Sequence, residues 1–244
     1  MTILKNLTTD DSIQEEKDVL GGGFKPLETD LYDFTVDTAY ISTSAGGAVA
    51  LNLNLLTSAD QKVRQTLWMT SGTAKGCKNY YEDAQGNRKY LPGFNAANSL
   101  CLLTVGKEIS ELEPEEKVIN LYDHDAGKEI PTKVQMLVEL LGQEITAGVI
   151  KQIVDKNVKD GNGTYVPSGE TREENEIDKF FRTRDGMTVA EIKAEAEEPA
   201  FKEQWVAKNQ GVTRNKAKGL SGTAGAPPAS PAANTPKPTK SLFS

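Results

Sequence analysis

The segment that decides the fold runs from residue 31 to residue 56 and reads LYDFTVDTAYISTSAGGAVALNLNLL. Apolar and polar residues alternate from Tyr32 to Tyr40, and they alternate again from Val49 to Leu55. A period of two residues predicts β-strands that each have one apolar face. The sequence Ser44-Ala45-Gly46-Gly47 between them is typical of a turn, so we expect the two strands to form a hairpin.

A third strand is predicted from Lys62 to Thr70, and its two faces differ in chemistry. One face is apolar: Val63, Leu67 and Met69. The other face is polar, cationic and aromatic: Lys62, Arg64, Thr66 and Trp68. Cations neutralise phosphates, and a base that stacks on an aromatic ring gains roughly 1–3 kcal/mol. The alternative is an amphipathic strand with a solvated basic face and a partly packed tryptophan.

Residues 71–93 are predicted to form a long loop or an extended hairpin with a turn at Gly86-Asn87. Basic and aromatic residues interleave there and just beyond: Lys75, Lys78, Tyr80, Tyr81, Arg88, Lys89, Tyr90 and Phe94. Such a mixture is typical of a groove for single-stranded nucleic acid. We expect stacking on five rings: Trp68, Tyr80, Tyr81, Tyr90 and Phe94. We expect six cations to hold the backbone: Lys62, Arg64, Lys75, Lys78, Arg88 and Lys89. Tyr32, Phe34 and Tyr40 share a face with Val36 and are predicted to be core.

The rest of the body is predicted to be β-rich with a few short helices. The predicted elements are a helix over 94–106, strands over 117–122 and 133–141, a strand or a hairpin over 145–158, and an irregular stretch over 160–186. A helix over 188–196 has Thr188 as its cap and Glu191 at the third helical position, and a last helical turn or two is predicted over 201–209. Residues 25–210 are therefore interpreted as one binding domain with insertions. Whether 145–210 belongs to its barrel or forms a separate lid stays open at this point.

Both ends of the chain are predicted to lack fixed structure. Residues 1–24 are polar and lead into a glycine triplet, and residues 211–244 are rich in Ala, Pro, Thr and Lys. Neither segment can bury enough apolar surface to offset its chain entropy. A free tail has no structural use for Leu242 and Phe243, so we expect these two residues and Lys240 to bind a partner protein.

Charge is strongly partitioned along the chain, although the net charge is -7. Residues 60–107 carry seven basic and three acidic residues, and residues 205–244 carry six basic residues and no acidic one. Residues 108–204 are strongly acidic. A basic segment meets phosphates locally, so the acidic total does not exclude a nucleic acid partner. The acidic segment is expected to compete with DNA for the basic loop.

The sequence also predicts a cytoplasmic protein, in a cell or in an infected host. An apolar run of about 18 residues is missing, so we expect no transmembrane helix, and the first residues do not resemble a secretory signal. Cys77 and Cys101 are accordingly expected to be reduced thiols.

Residue chemistry argues against an enzyme and against a bound metal or cofactor. Cys77, Cys101 and His124 are far apart and lack the close pairs of a zinc site. His124 lies in an acidic turn, which makes it a poor general base, and no phosphate-binding loop motif occurs. A nuclease that holds its metal with carboxylates stays open as a rival of lower weight.

The predicted order of strands, with a helix after the third, is that of a five-stranded OB barrel. The segment YYEDAQGNRKYLPGF (residues 80–94) and the final KSLFS (residues 240–244) resemble single-stranded DNA-binding proteins of lytic bacteriophages. This resemblance implies an OB-fold core that coats single strands in replication, recombination and repair. It also implies a tail that recruits replication, recombination or transcription proteins.

The tail departs from that family in its charge. Family tails are typically acidic before the hydrophobic tip, whereas this one is basic, which favours an acidic partner surface or a return to DNA. The alternative function is that of a phage structural or assembly protein whose basic tail contacts nucleic acid. The sequence leaves the oligomeric state open.

Overall fold

The computed structural model describes residues 25–123, 126–161 and 165–218. The predicted flexible segment 1–24, His124, and the tail residues Lys240, Leu242 and Phe243 lie outside this part of the chain.

The described chain is mainly β. Its strands are β1 (Asp30–Thr43), β2 (Val49–Thr57), β3 (Lys62–Trp68), β4 (Tyr80–Glu82), β5 (Arg88–Tyr90), β6 (Glu115–Asp123), β7 (Lys128–Met136), β8 (Glu144–Lys159), β9 (Tyr165–Phe181) and β10 (Arg214–Asn215). Its helices are α1 (Pro92–Thr104), α2 (Val189–Lys193) and α3 (Ala200–Asn209). Single 3-10 turns lie at Thr73–Lys75, Ile109–Glu111 and Val138–Leu140.

Strand β1 is central to an antiparallel sheet. It pairs along most of its length with β2, which pairs with β3. The other edge of β1 pairs first with β8 and then, at Tyr40 and Ile41, with β7. Strand β9 lies on the far side of β8, β6 pairs with β7, and β10 runs parallel to β8. The prediction of a mainly β fold is confirmed, and the predicted helix, α1, follows β3 after the short β4–β5 hairpin.

The sheet does not close into a barrel in the described chain. Its order is β10-β8-β1-β2-β3 with β9 paired to β8, and no hydrogen-bonded ladder joins β3 to β9 among the described residues. One side chain spans the two edges, because the Ile177 amide donates to Gln65 Oε1 at 3.1 Å. The two strands therefore border a groove.

The core fills the inner face of the sheet. The alternation in β2 places Leu51, Leu53 and Leu55 inside, as predicted. Helix α1 covers this face with Leu100 and Leu103. A second, smaller cluster joins Ile150, Phe181 and Trp205, where α3 packs on β8.

Two predictions about the C-terminal half are wrong. Residues 160–186 were expected to be irregular, but β9 pairs with β8 from Thr146↔Phe181 to Lys159↔Tyr165. The predicted strand over 133–141 ends at Met136 and is followed by a 3-10 turn. Strand β9 is rich in charge because most of its length is exposed on the sheet surface, so it lacks an apolar alternation. The capped helix at Thr188 is confirmed, since Thr188 and Glu191 form a reciprocal capping box.

Residues 211–218, predicted to belong to a disordered tail, are attached to the body. The Gly211 amide donates to the Thr29 carbonyl at 2.8 Å, and the Lys216 amide donates to the Ile153 carbonyl at 2.8 Å. Composition could not predict this, because β10 is held by backbone bonds and ion pairs and buries little apolar surface.

Candidate nucleic-acid interface

Side chains of β1, β2 and β3 that point away from the core form a continuous polar surface, the outer face. Its members are Thr38, Tyr40, Ser42, Asn52, Asn54, Lys62, Arg64, Thr66 and Trp68. Strand pairing arranges them in three rows: Thr38–Asn54–Arg64, Tyr40–Asn52–Thr66 and Ser42–Ala50–Trp68. Tyr40 thus lies in the row between those of Arg64 and Trp68, with β2 separating its strand from theirs.

Short polar side chains tie the rows of the outer face together. Asn52 Nδ2 donates to Ser42 Oγ at 2.7 Å, and Thr66 Oγ1 donates to Asn52 Oδ1 at 3.0 Å. Asn54 Nδ2 donates to Thr38 Oγ1 at 2.5 Å. These hydrogen bonds fix the orientations of the short side chains. The outer face is therefore ordered between its larger residues Tyr40, Arg64 and Trp68.

The predicted β3 residues differ in how open they are. The Trp68 side chain is exposed (47%), and its cross-strand neighbour Ala50 is buried. Arg64 is exposed and forms no ion pair with any described residue. Lys62 Nζ, in contrast, lies 2.9 Å from Asp37 Oδ2. Trp68 and Arg64 are therefore available to a ligand, whereas Lys62 already forms an ion pair with Asp37.

Tyr40 belongs to the outer face, which corrects the prediction that it lies in the core. A β-bulge between Val36 and Thr38 reverses the faces of β1, so that Ala39 is buried and Tyr40 points outward. Phe34 is buried as predicted. The signal in the sequence is that apolar residues change from even positions (Val36) to odd positions (Ala39, Ile41).

The Tyr40 ring stays uncharged at neutral pH. Partial burial raises the pKa of its phenol above the ordinary value of 10.0, and the nearby Arg64 guanidinium lowers this pKa to a smaller extent. A neutral ring next to a cation is the combination that accepts a stacked base beside a phosphate.

Where the groove between β3 and β9 passes Trp68, it contains a cavity of about 750 Å³. It is lined by Thr66, Trp68 and Lys75 on one side and by Glu176 and Asp178 on the other. A smaller recess of about 300 Å³ is lined by Lys75, Lys78, Tyr80 and Tyr81. Lys75 borders both, so the groove is continuous with the β4–β5 hairpin. The structure thus brings together β3 and the basic loop, as the sequence suggested.

Cations and tyrosines of the hairpin interact with one another. Lys78 Nζ and Arg88 Cζ lie 5.5 and 5.0 Å from the centre of the Tyr80 ring. Lys89 Nζ lies 2.8 Å from Asp83 Oδ2, and this hydrogen bond is the main reason that the pKa of Asp83 is lowered. Lys75 and Lys78 form no ion pair within the described chain, and together with Arg64 they are the unpaired predicted cations.

The predicted stacking rings fall into two groups. Tyr81 and Tyr90 are exposed at 45% and 56%, and so they can meet a base. Phe94 packs against the core, with its ring centre 5.0 Å from that of Tyr90. Phe94 therefore packs between Tyr90 and the core and supports the Tyr90 ring. Tyr80 is covered by the side chains of Lys78 and Arg88.

The wall of the groove on β9 is acidic. The sequence predicts that the acidic segment 108–204 competes with DNA for the basic loop, but it does not predict which carboxylates line the groove. Strand β9 contributes Glu176 and Asp178 to the cavity of about 750 Å³ described above, and Glu173, Glu174 and Glu176 to a second cavity of about 950 Å³ along β3. Taken alone, a run of carboxylates such as residues 170–176 is typical of solvated surface. Strand pairing places them opposite the basic face of β3, which no local pattern in the sequence indicates.

Among the residues that the structure describes, thiols and carboxylates do not gather into a metal-binding cluster. Cys77 is exposed and Cys101 is buried, and burial raises the pKa of the Cys101 thiol to about 12. No group of three or more His, Cys, Asp or Glu residues that could hold a metal ion occurs in the described part of the chain. Among the described helices, none has the length and apolarity needed to cross a membrane.

No protein-family model matches the chain, and no curated protein matches its sequence.

Proposed function

We propose that this protein is a sequence-tolerant single-stranded DNA-binding protein without enzymatic activity, which coats and protects single strands in replication, recombination and repair. The observation that carries the proposal is the outer face, where exposed Trp68 and unpaired Arg64 flank the Tyr40 row. That surface continues through Lys75 to the exposed rings of Tyr81 and Tyr90.

In this proposal, the single-stranded DNA lies along β3 and then along the β4–β5 hairpin. Bases stack on Trp68, Tyr40, Tyr81 and Tyr90, and Arg64, Lys75 and Lys78 neutralise phosphates. Unpaired bases expose their faces, whereas those of a duplex are already stacked on each other, so a row of rings selects single strands. Contacts to ring faces and to phosphates carry little sequence information, which makes the binding sequence-tolerant.

We further propose that the fold is an open variant of the five-stranded OB arrangement. Strands β1, β2 and β3, together with β8 and β9, would be the five strands, and the Gln65–Ile177 hydrogen bond would stand where a closing ladder runs in a closed barrel. OB folds bind oligonucleotides on the face of their second and third strands, which corresponds here to the outer face.

The tail has a separate role in the proposal. Lys240, Leu242 and Phe243 would recruit replication, recombination or transcription proteins. Deleting residues 240–244 should leave the affinity for single-stranded DNA unchanged and abolish capture of the partner.

Tryptophan fluorescence during titration with oligo-dT tests the proposal. The chain has two tryptophans: Trp68 is exposed, and Trp205 is buried, with only 3% of its surface exposed. Single-stranded DNA should quench Trp68 alone, and the affinity should fall as salt rises because phosphates release counterions. Trp68→Phe should lose the quenching and keep most of the affinity by anisotropy. Trp68→Ala should lose roughly tenfold in affinity, the value of about one stacked base.

Duplex DNA and a second aromatic position serve as controls. Tyr122→Ala, near the tip of the β6–β7 hairpin, removes an exposed ring and should not change binding. Equal affinity for duplex and single strand would contradict the proposal and favour a structural or assembly protein that contacts nucleic acid without strand preference.

A further inference from the structure

Each of the four carboxylates of the acidic wall forms an ion pair with a cation. Lys151 Nζ lies 3.1 Å from Glu173 Oε2, and Arg172 Nη2 lies 2.9 Å from Glu174 Oε2. These two cations belong to β8 and β9 themselves. They account for half of the carboxylates on the wall.

The other two carboxylates are neutralised by the C-terminal strap, which we define as residues 211–218. Arg214 Nη1 lies 3.0 Å from Asp178 Oδ1, and Lys216 Nζ lies 2.6 Å from Glu176 Oε2. Glu176 and Asp178 line the cavity next to Trp68 and Lys75. The strap thus places its cations on the two carboxylates that a strand bound on Trp68 would approach.

Several independent contacts fix the strap in this position. Strand β10 pairs in parallel with β8, and the Lys216 amide donates to the Ile153 carbonyl at 2.8 Å. Arg214 Nη2 also donates to Asn209 Oδ1 at 2.9 Å, at the end of α3. The Lys218 amide donates to Asp155 Oδ2 at 2.9 Å. The cations of the two ion pairs therefore belong to a segment whose backbone is fixed by hydrogen bonds.

We infer that the C-terminal strap sets the affinity of the groove for a polyanion by neutralising Glu176 and Asp178. This inference rests on the proposed function, because the groove must receive DNA for its charge to matter. Without the strap, Glu176 would lose its cation, and Asp178 would keep only the neutral donor Trp205 Nε1 at 2.7 Å. Both negative charges would then face the path of the phosphates, and like charges repel more strongly at low salt. Arg214 and Lys216 affect DNA binding by cancelling the negative charge of the wall, and they need not contact the DNA themselves.

A charge swap between Lys216 and Glu176 in the full chain tests the inference. Lys216→Glu should weaken binding to oligo-dT by roughly three- to tenfold at low salt, and the effect should shrink at high salt. Glu176→Lys should strengthen binding, and the double variant should return to within about twofold of wild type because the wall is neutral again. Lys128→Glu, at the far end of the β6–β7 hairpin, makes the same change in net charge and is the control.

The outcomes separate this inference from the proposed function. If the wild type does not bind single strands, the proposed function fails. If it binds and Lys216→Glu behaves like Lys128→Glu, the function stands and the strap has no part in affinity. If Lys216→Glu weakens binding and the double variant does not recover, Lys216 touches the DNA directly and the neutralised-wall account is wrong.

Discussion

The β-bulge at Asp37 places Tyr40 on the outer face. The bulge at this residue adds one position to β1, so the alternation that buries Phe34 and Val36 restarts with Ala39. Without the bulge, Tyr40 would face the core, as its spacing from Val36 suggests. One irregular residue therefore adds an aromatic ring to the candidate site.

The electrostatic influence of Arg64 on Tyr40 makes a prediction for the Tyr40 phenol. Its pKa should lie above 10.0, and Arg64→Gln should raise it further, because the guanidinium is what favours the ionised phenol. Titration by NMR of tyrosine labelled at the ring carbon that bears the hydroxyl measures this shift. Tyr32 is an internal control, since burial, Asp30 and Glu28 raise its pKa and Arg64 does not act on it. A Tyr40 pKa that stays constant or falls in the variant would place Arg64 away from the ring.

At the scale of elements, the start of α1 sets the position of Trp68. Gly93 lies against the main chain of Trp68 so closely that an added Cβ would come within 2.1 Å of its carbonyl oxygen. Main-chain atoms of a paired strand cannot move aside cheaply, so only glycine permits this approach.

Gly93→Ala should therefore separate α1 from β3. We expect it to lower the free energy of unfolding by about 1–3 kcal/mol, as overpacked sites do, and to weaken binding of single-stranded DNA through the displaced indole. Urea unfolding and DNA titration measure the two effects. Gly161→Ala meets no atom within 4 Å and is the matched control. A Gly93→Ala variant as stable as the Gly161→Ala variant would refute the close contact.

Local patterns predicted the elements that bury an apolar face. Strands β2 and β3 and the capped helix α2 follow from alternation and from the Thr188–Glu191 spacing. Strand β9 could not be predicted in this way, because its partner β8 supplies the hydrogen bonds and its own side chains are mostly solvated. Strands that depend on a distant partner leave little trace in local composition.

The same division holds for the candidate site. Trp68 and Arg64 were predicted from one strand, because period two puts them on one face. Tyr40 and the acidic wall were not, since they depend on a bulge and on the approach of β9 to β3. Residues that reach a site through tertiary pairing need the fold to be known.

At the scale of the whole molecule, the C-terminal strap holds together segments that are far apart in sequence. Thr29 Oγ1 donates to the Val212 carbonyl at 2.6 Å, and Arg214 forms an ion pair with Asp178. The strap thus links the entry to β1, the end of α3 and β9. Its contribution to stability should be separable from that of the chain beyond Lys218.

Two truncated chains test this role. A chain that ends at Lys218 keeps every strap contact and should unfold like the full chain. A chain that ends at Gln210 loses several hydrogen bonds of about 1 kcal/mol each, so its free energy of unfolding should fall by about 2–4 kcal/mol. Denaturant unfolding followed by Trp205 fluorescence provides the comparison. Equal stability of the two chains would show that the strap contributes nothing to the fold.

The path of the single strand across the outer face is the central claim, and photo-crosslinking tests it most directly. Oligonucleotides that carry 5-iododeoxyuridine should crosslink to Trp68, Tyr40, Tyr81 and Tyr90, as mapped by peptide mass spectrometry. Tyr122 and Tyr165 are equally exposed but lie near the tips of the two long hairpins, and they should remain unmodified. Crosslinks at those two tyrosines, with Trp68 and Tyr40 unmodified, would contradict the account.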